Sequence, residues 1–221
     1  MALRVFTNAQ GRLRSGWWLI IFLVVLVAFL APLIVLAAAR EQSVPIWQQA
    51  CALFAASMTC QILRRRPMTE MLGAFDQRWL IGLGAGLGLG FAVMAAPAAL
   101  LAAFGAVTFQ INALNGAVLA DLFGIFVAVA ITEELMFRGL FLRKLEPFLG
   151  RFLSNLMIAV VFTLIHQGAT YTSSQLMFLA VTFPLALLLG YLAQKTDALW
   201  ASILLHAGMD IPIMLGIFSN L

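Results

Sequence analysis

The amino-acid sequence predicts an all-α, polytopic membrane protein, a helical bundle of about seven to eight transmembrane helices, and three observations carry that prediction. The 221 residues are 63% hydrophobic and only 10% charged, where a soluble domain is about 45–50% apolar and about 25% charged. Their mean hydropathy is +1.03. The apolar residues fall in seven long runs, and the basic residues between those runs alternate in a way that assigns sides. A water-soluble globule is excluded, because a body of this size leaves roughly a quarter to a third of its chain surface exposed and cannot hide so many apolar side chains. The absence of long polar, Pro-rich or Ser-rich tracts excludes a disordered linker, and the scattered arginines and lysines form no nucleic-acid patch.

The first run, residues 17–39, contains 23 residues without a charge. At about 1.5 Å per residue it suffices for a hydrocarbon core of about 30 Å. Arg4, Arg12 and Arg14 before it and Ala37, Ala38 and Ala39 at its end imitate a secretory signal, but signal cores run only about 7–15 residues, so the segment is expected to stay as a span. The remaining runs are 46–63, 79–104, 118–142, 152–166, 176–193 and 198–218. Seven crossings place Arg4, Arg12, Arg14, Arg64, Arg65, Arg66, Arg78, Arg138, Arg143, Lys144, Arg151 and Lys195 on one side and leave only Arg40 on the other. Basic residues collect in cytoplasmic loops, so the N-terminus is expected inside and the C-terminus outside. The sequence pI of about 9.7 is then a topology signal.

Several features have structural readings. Gly82, Gly86 and Gly90, four residues apart, suit close helix packing better than a phosphate loop, since no charge or strand accompanies them. Cys51 and Cys60 lie nine residues apart, on opposite helix faces, and are expected to be core fillers that cannot bridge one another. Pro32, Pro97 and Pro184 fall inside apolar runs, where membranes tolerate kinks. The segment 139–151, with Arg143, Lys144 and Pro147, reads as an interfacial connection. A short or re-entrant segment is also expected between Gly105 and Gly116.

Charges at membrane depth cost about 2.5–3.5 kcal/mol each on insertion scales, so they are paired, inward-facing and functional. Here they concentrate: the fourth run carries Asp121, Glu133 and Glu134, the last carries Asp210, and the chain's two histidines, His166 and His206, also lie within or at the end of apolar runs. Asp121, about 120° round the helix from Glu133, is expected to be interfacial or structural. Adjacent glutamates point about 100° apart and must do different jobs. Arg138 follows Glu134 by four residues, the favourable spacing for an ion pair, and Glu133 by five. Glu134 and Arg138 are therefore expected to form a structural pair, leaving Glu133 free as a general base. His206 and Asp210 share a helix face at four residues' spacing. Asp210 is expected to orient His206 or to meet the same ligand.

These residues resemble a known pattern. Glu133-Glu134-x-x-x-Arg138, Phe162-x-x-x-His166 and His206-x-x-x-Asp210 are similar, in order and separation, to the three motifs of the CAAX-protease and bacteriocin-processing family (CPBP, or ABI) of intramembrane proteases, which includes type II CAAX prenyl endopeptidases. The resemblance covers residues 116–218, so this stretch is expected to be the catalytic core. Residues 1–115 would then add three N-terminal spans and a basic cytoplasmic arm to the same membrane domain. It implies an endopeptidase that cleaves a membrane-associated peptide or protein, with a prenylated CAAX-type end as one substrate class. Glu133 would activate water with help from His166, and His206, supported by residue 210, would stabilise the oxyanion. Phe162 supports the motif. Many members carry Asn where this chain has Asp210, which when ionised can only accept hydrogen bonds.

The family was first described as metalloproteases. Zinc accepts His and carboxylate ligands, which Glu133, His166, His206 and Asp210 would supply, but the same four suffice without metal, and a metal-free site is expected. The expected partners are the substrate and the lipid bilayer, with no nucleic acid, and the expected location is a bacterial inner membrane. Two other classes use the same residues: a small proton-coupled transporter, against which the absence of a visible internal repeat weighs, and a non-catalytic immunity or scaffold protein. Depth sets one difficulty, because His166 lies 15 residues beyond Arg151. If that helix starts at the membrane boundary, His166 sits about 22 Å in, deeper than Glu133.

Overall fold

A helix follows every apolar run. The computed structural model describes residues 6–7, 13, 15–105, 108, 115–166 and 173–214. Among these the elements are helical apart from one isolated bridge between Thr7 and Leu13. Four helical stretches are long and apolar enough to cross a membrane: Gly16–Ala38, Trp79–Leu100, Leu122–Ile165 and Leu179–Thr196. The expected re-entrant segment falls largely outside the described residues, as do the side chain of Asp121, the basic residues Arg4, Arg12 and Arg14, and the last residues of the seventh run.

The chain divides into two compact units, Met1–Met68 and Thr69–Leu221. In the first, α1 (Ser15–Ala38) packs against α2 (Ile46–Leu63). The guanidinium of Arg64, just past the end of α2, lies 5.6 Å over the ring of Trp18 near the start of α1, so the two helices run antiparallel. Pro32 is accommodated inside α1. Of the two thiols Cys60 is buried, as expected of a core filler, whereas Cys51 is exposed.

The second unit begins with the single turn α3 (Thr69–Leu72), followed by α4 (Gln77–Ala103) and α5 (Gly116–Glu134). A π-helical segment, Leu135–Leu142, joins α5 to α6 (Arg143–Ile165); α7 (Ser173–Thr196) and α8 (Leu199–Met214) follow. Asp76 caps α4, its Oδ1 accepting a hydrogen bond from the Trp79 amide at 3.0 Å, which satisfies one of the orphan donors of the first turn.

The 139–151 segment departs from expectation. It is helical up to Leu149, and the break falls on a single residue, Gly150 (φ 74°, ψ 171°), a conformation that glycine adopts without steric cost. Beyond Gly150 the chain folds back: Phe137, Leu142, Ile158, Ala159 and Phe162 form one buried cluster with Ala186 of α7. Hairpin symmetry about Gly150 sets the register. Arg138 lies 12 residues before it and Phe162 12 after, and Glu133 lies 17 before and His166 16 after.

The glycine stripe of α4 packs as expected at two of its three positions. A Cβ on Gly86 would come within 2.8 Å of Leu204 Cβ, and one on Gly90 would run into the Leu205 carbonyl and the backbone at Gly208. Gly208 reciprocates against Leu87, while Gly82 has nothing within 4 Å. Close backbone approach thus holds α4 against the helix that carries His206. Overpacking costs about 1–3 kcal/mol, so Gly90→Ala and Gly208→Ala are each expected to lower the thermal unfolding midpoint of the detergent-solubilised protein, and Gly82→Ala to leave it in place. Three equal midpoints would contradict this packing.

Candidate active site

The site is assembled by α5, α6 and α8. Glu133 and Glu134 end α5, His166 follows α6 directly, and His206 lies in the second turn of α8. Hairpin register resolves the depth difficulty. The chain turns at Gly150, so the His166 end of α6 returns level with Glu133, and the Nε2 of His166 lies 3.4 Å from Glu133 Oε1.

The two glutamates divide as their spacing to Arg138 suggests. Glu134 and Arg138 are both fully buried, with Arg138 Nη1 2.8 Å from Glu134 Oε1. A second donor, Nη2, reaches the Ala186 carbonyl of α7 at 3.0 Å, and the guanidinium carbon lies 4.5 Å over the Phe162 ring. Arg138 therefore joins the end of α5, the returning arm of the hairpin and α7. The eight-residue π-helix in which it lies has no counterpart in the sequence reasoning, because hydrophobic periodicity does not distinguish a widened turn from an α-helical one.

His206 touches both glutamates. Its Nδ1 is 2.9 Å from Glu134 Oε1, and its Nε2 is 3.7 Å from Glu133 Oε2. A carboxylate only accepts, so Nδ1 carries a proton. The same reasoning fixes the other ring: His166 Nδ1 lies 2.7 Å from the Phe162 carbonyl, an acceptor in the last turn of α6 that lacks a helical partner, so it too is protonated. Both Nε2 atoms are thereby turned toward Glu133. Phe162 packs between them, its ring centroid 4.3 Å from that of His166 and 6.0 Å, edge-on, from that of His206.

Asp210 lies one turn beyond His206. It has Glu133, His166, His206 and Glu134 as electrostatic neighbours, and its Oδ2 is buried without a hydrogen-bond partner among the described residues. The group on His206 Nδ1 is Glu134; of the two expectations for Asp210, orienting His206 or meeting the same ligand, the first finds no contact at this nitrogen. In sequence spacing, i,i+4 neighbours are visible along one helix, whereas a contact between α5 and α8 is not. The Ala186 carbonyl was also missed, since no side-chain pattern marks a backbone acceptor. For a metal, no three His, Cys, Asp or Glu side chains among the described residues converge closely enough to hold an ion.

Removing one partner of a fully buried ion pair leaves an uncompensated charge and costs about 3–5 kcal/mol. Arg138→Ala is therefore expected to lower the unfolding midpoint far more than Arg151→Ala, whose salt bridge to Glu146 is largely exposed and worth at most about 1 kcal/mol. Equal midpoints for the two variants would contradict the assignment.

Comparison of the chain with curated proteins and with solved structures returns no match. A family model does match, that of the type II CAAX prenyl endopeptidase Rce1-like family, over residues 115–212, a segment that takes in Glu133, Glu134, Arg138, Phe162, His166, His206 and Asp210. From the start of α5 into the last turn of α8, the chain is similar to the Rce1-like family of type II CAAX prenyl endopeptidases.

Proposed function

We propose that this chain is a multi-pass intramembrane endopeptidase of the CAAX type, in which Glu133 activates water for attack on a peptide carbonyl. The observation that carries the reading is the environment of Glu133. Its carboxylate has no cation of its own and is faced by two imidazole Nε2 atoms, 3.4 and 3.7 Å away, while the neighbouring Glu134 takes Arg138. Glu133 Oε2 is buried and has no hydrogen-bond partner among the described residues, which suits a group whose partner is water or substrate. Membrane depth makes such a carboxylate costly unless it serves a purpose.

In this mechanism a water held between Glu133 and the scissile carbonyl gives its proton to the carboxylate as its oxygen bonds to carbon. His166, with Nδ1–H tied to the Phe162 carbonyl, presents Nε2 to the same water. His206 donates from Nε2 to the developing oxyanion when its ring is protonated. A proton there brings Glu133, Glu134, Arg138 and His206 to neutrality, and Glu134 holds the ring through Nδ1–H. Collapse of the tetrahedral intermediate breaks the C–N bond, and Glu133 returns the proton to the leaving amine. Asp210, one turn beyond His206, supplies the free Oδ2 as an acceptor for a substrate amide N–H.

Residues 116–218 form the catalytic core in this reading, and residues 1–115 supply further spans of one membrane domain, seven to eight in all. The substrate class is a membrane-associated peptide or protein with a prenylated CAAX-type end, as the family match suggests. A bacterial inner membrane with the N-terminus in the cytoplasm is the setting supported by the distribution of Arg and Lys.

Glu133→Gln keeps the size of the side chain and removes the base, so cleavage of a prenylated CAAX reporter peptide by the purified protein is expected to fall by about 10²–10⁴-fold with the unfolding midpoint preserved. Wild-type cleavage by that variant would overturn the mechanism. Because each imidazole faces Glu133 directly, chelators are expected to leave the cleavage rate unchanged. Activity lost on chelation and restored by zinc would refute the metal-free version.

A further inference from the structure

At the turn of the α5–α6 hairpin lies a second polar site that peptide hydrolysis does not use. A cleft of about 40 Å³ is lined by Arg138, Arg143, Arg151, Gln194, Glu146 and Asp197 among others. Its two acids are already occupied: Glu146 Oε1 meets Arg151 Nε at 2.9 Å, and Asp197 Oδ1 meets Arg143 Nη2 at 3.3 Å. One donor of a residue that lines it is not. Arg138 spends Nη1 on Glu134 and Nη2 on Ala186, but its Nε is buried without an acceptor among the described residues, an arrangement that costs free energy unless a ligand or water completes it.

The surroundings of the cleft have the character of a bilayer interface. Phe148 and Phe152, two residues either side of Gly150, are 82% and 79% exposed, and Lys144 lies one turn before Phe148. Arg151, between them, has a side chain 73% exposed. Large apolar rings flanking a turn with three nearby basic residues fit acyl chains on one side and an anionic headgroup on the other. We propose that this cleft binds the phosphate of one anionic phospholipid, with the Arg151 guanidinium and the second N–H of the Gln194 amide, whose first meets the Arg151 carbonyl at 2.9 Å, as the accessible donors, Arg138 Nε as the buried one, and Phe148 and Phe152 against the lipid chains. The site stands independently of the protease reading. It also borders the catalytic cluster, because Arg138 lines the cleft and clamps Glu134 with the same guanidinium.

The test is native mass spectrometry of the full chain released from detergent after incubation with equal amounts of phosphatidylglycerol and phosphatidylcholine. One phosphatidylglycerol is expected to be retained in preference to phosphatidylcholine. Arg151→Gln should lower that retention at least tenfold, and Arg151→Lys should keep most of it. Gln194→Leu, which removes an amide from the cleft together with its hydrogen bond to the Arg151 carbonyl while leaving all three arginines, should weaken retention as well, with the unfolding midpoint of both variants read alongside to exclude misfolding. Equal retention of the two lipids, or undiminished phosphatidylglycerol in both Arg151→Gln and Gln194→Leu, would overturn the proposal. Displacement of the lipid by equimolar inorganic phosphate would replace it with a free-oxyanion site.

Discussion

A fully buried ion pair between Glu134 and Arg138 is the constraint on which the rest of the second unit depends. Two charges removed from water repay their desolvation only when geometry is good and their remaining hydrogen-bonding capacity is used. Here the repayment comes from three directions: the Ala186 carbonyl of α7, the face of the Phe162 ring on the returning arm of the hairpin, and His206 of α8. Each partner sits on a different stretch of chain, so satisfying one arginine and one glutamate fixes where those stretches lie. A pair that would be expensive in isolation becomes the point at which the unit is registered.

That registration explains why adjacent glutamates have such different surroundings. Glu134 Oε1 is met by both a guanidinium and an imidazole, each within 2.9 Å. Glu133 is held beside it with no cation, facing two imidazoles whose Nδ1 protons are committed elsewhere, to Glu134 and to the Phe162 carbonyl. One buried carboxylate thus keeps a ring in the orientation that its neighbour needs. The hairpin about Gly150 provides the other ring, and the close α4–α8 contact at Gly90 and Gly208 supports the helix that carries His206.

Much of this was legible because membrane insertion makes sequence unusually informative. Few charges survive in apolar runs, so the ones that do mark the site, and an i,i+4 spacing on one helix was enough to pair Glu134 with Arg138. What could not be read was anything requiring the relation between helices. The expected connection over 139–151 was placed by its charges and by Pro147, whereas the turn falls on Gly150, whose positive φ allows it. Counting depth from Arg151 therefore put His166 too deep. The i,i+4 spacing allows Asp210 either to orient His206 or to meet the same ligand, while the group on His206 Nδ1, Glu134, is 72 residues away and leaves no trace in that spacing. The π-helix at Leu135–Leu142 left no periodic signature.

The central claim is that both imidazoles are fixed with Nδ1 protonated and Nε2 turned to Glu133. The chain has only two histidines, so ¹⁵N spectroscopy of histidine-labelled protein in lipid reads the claim directly, one ring at a time. The account predicts a protonated Nδ1 in both rings, with Glu134→Gln altering the signals of His206 far more than those of His166. A bare Nδ1 on either ring, with the proton on Nε2, would contradict it.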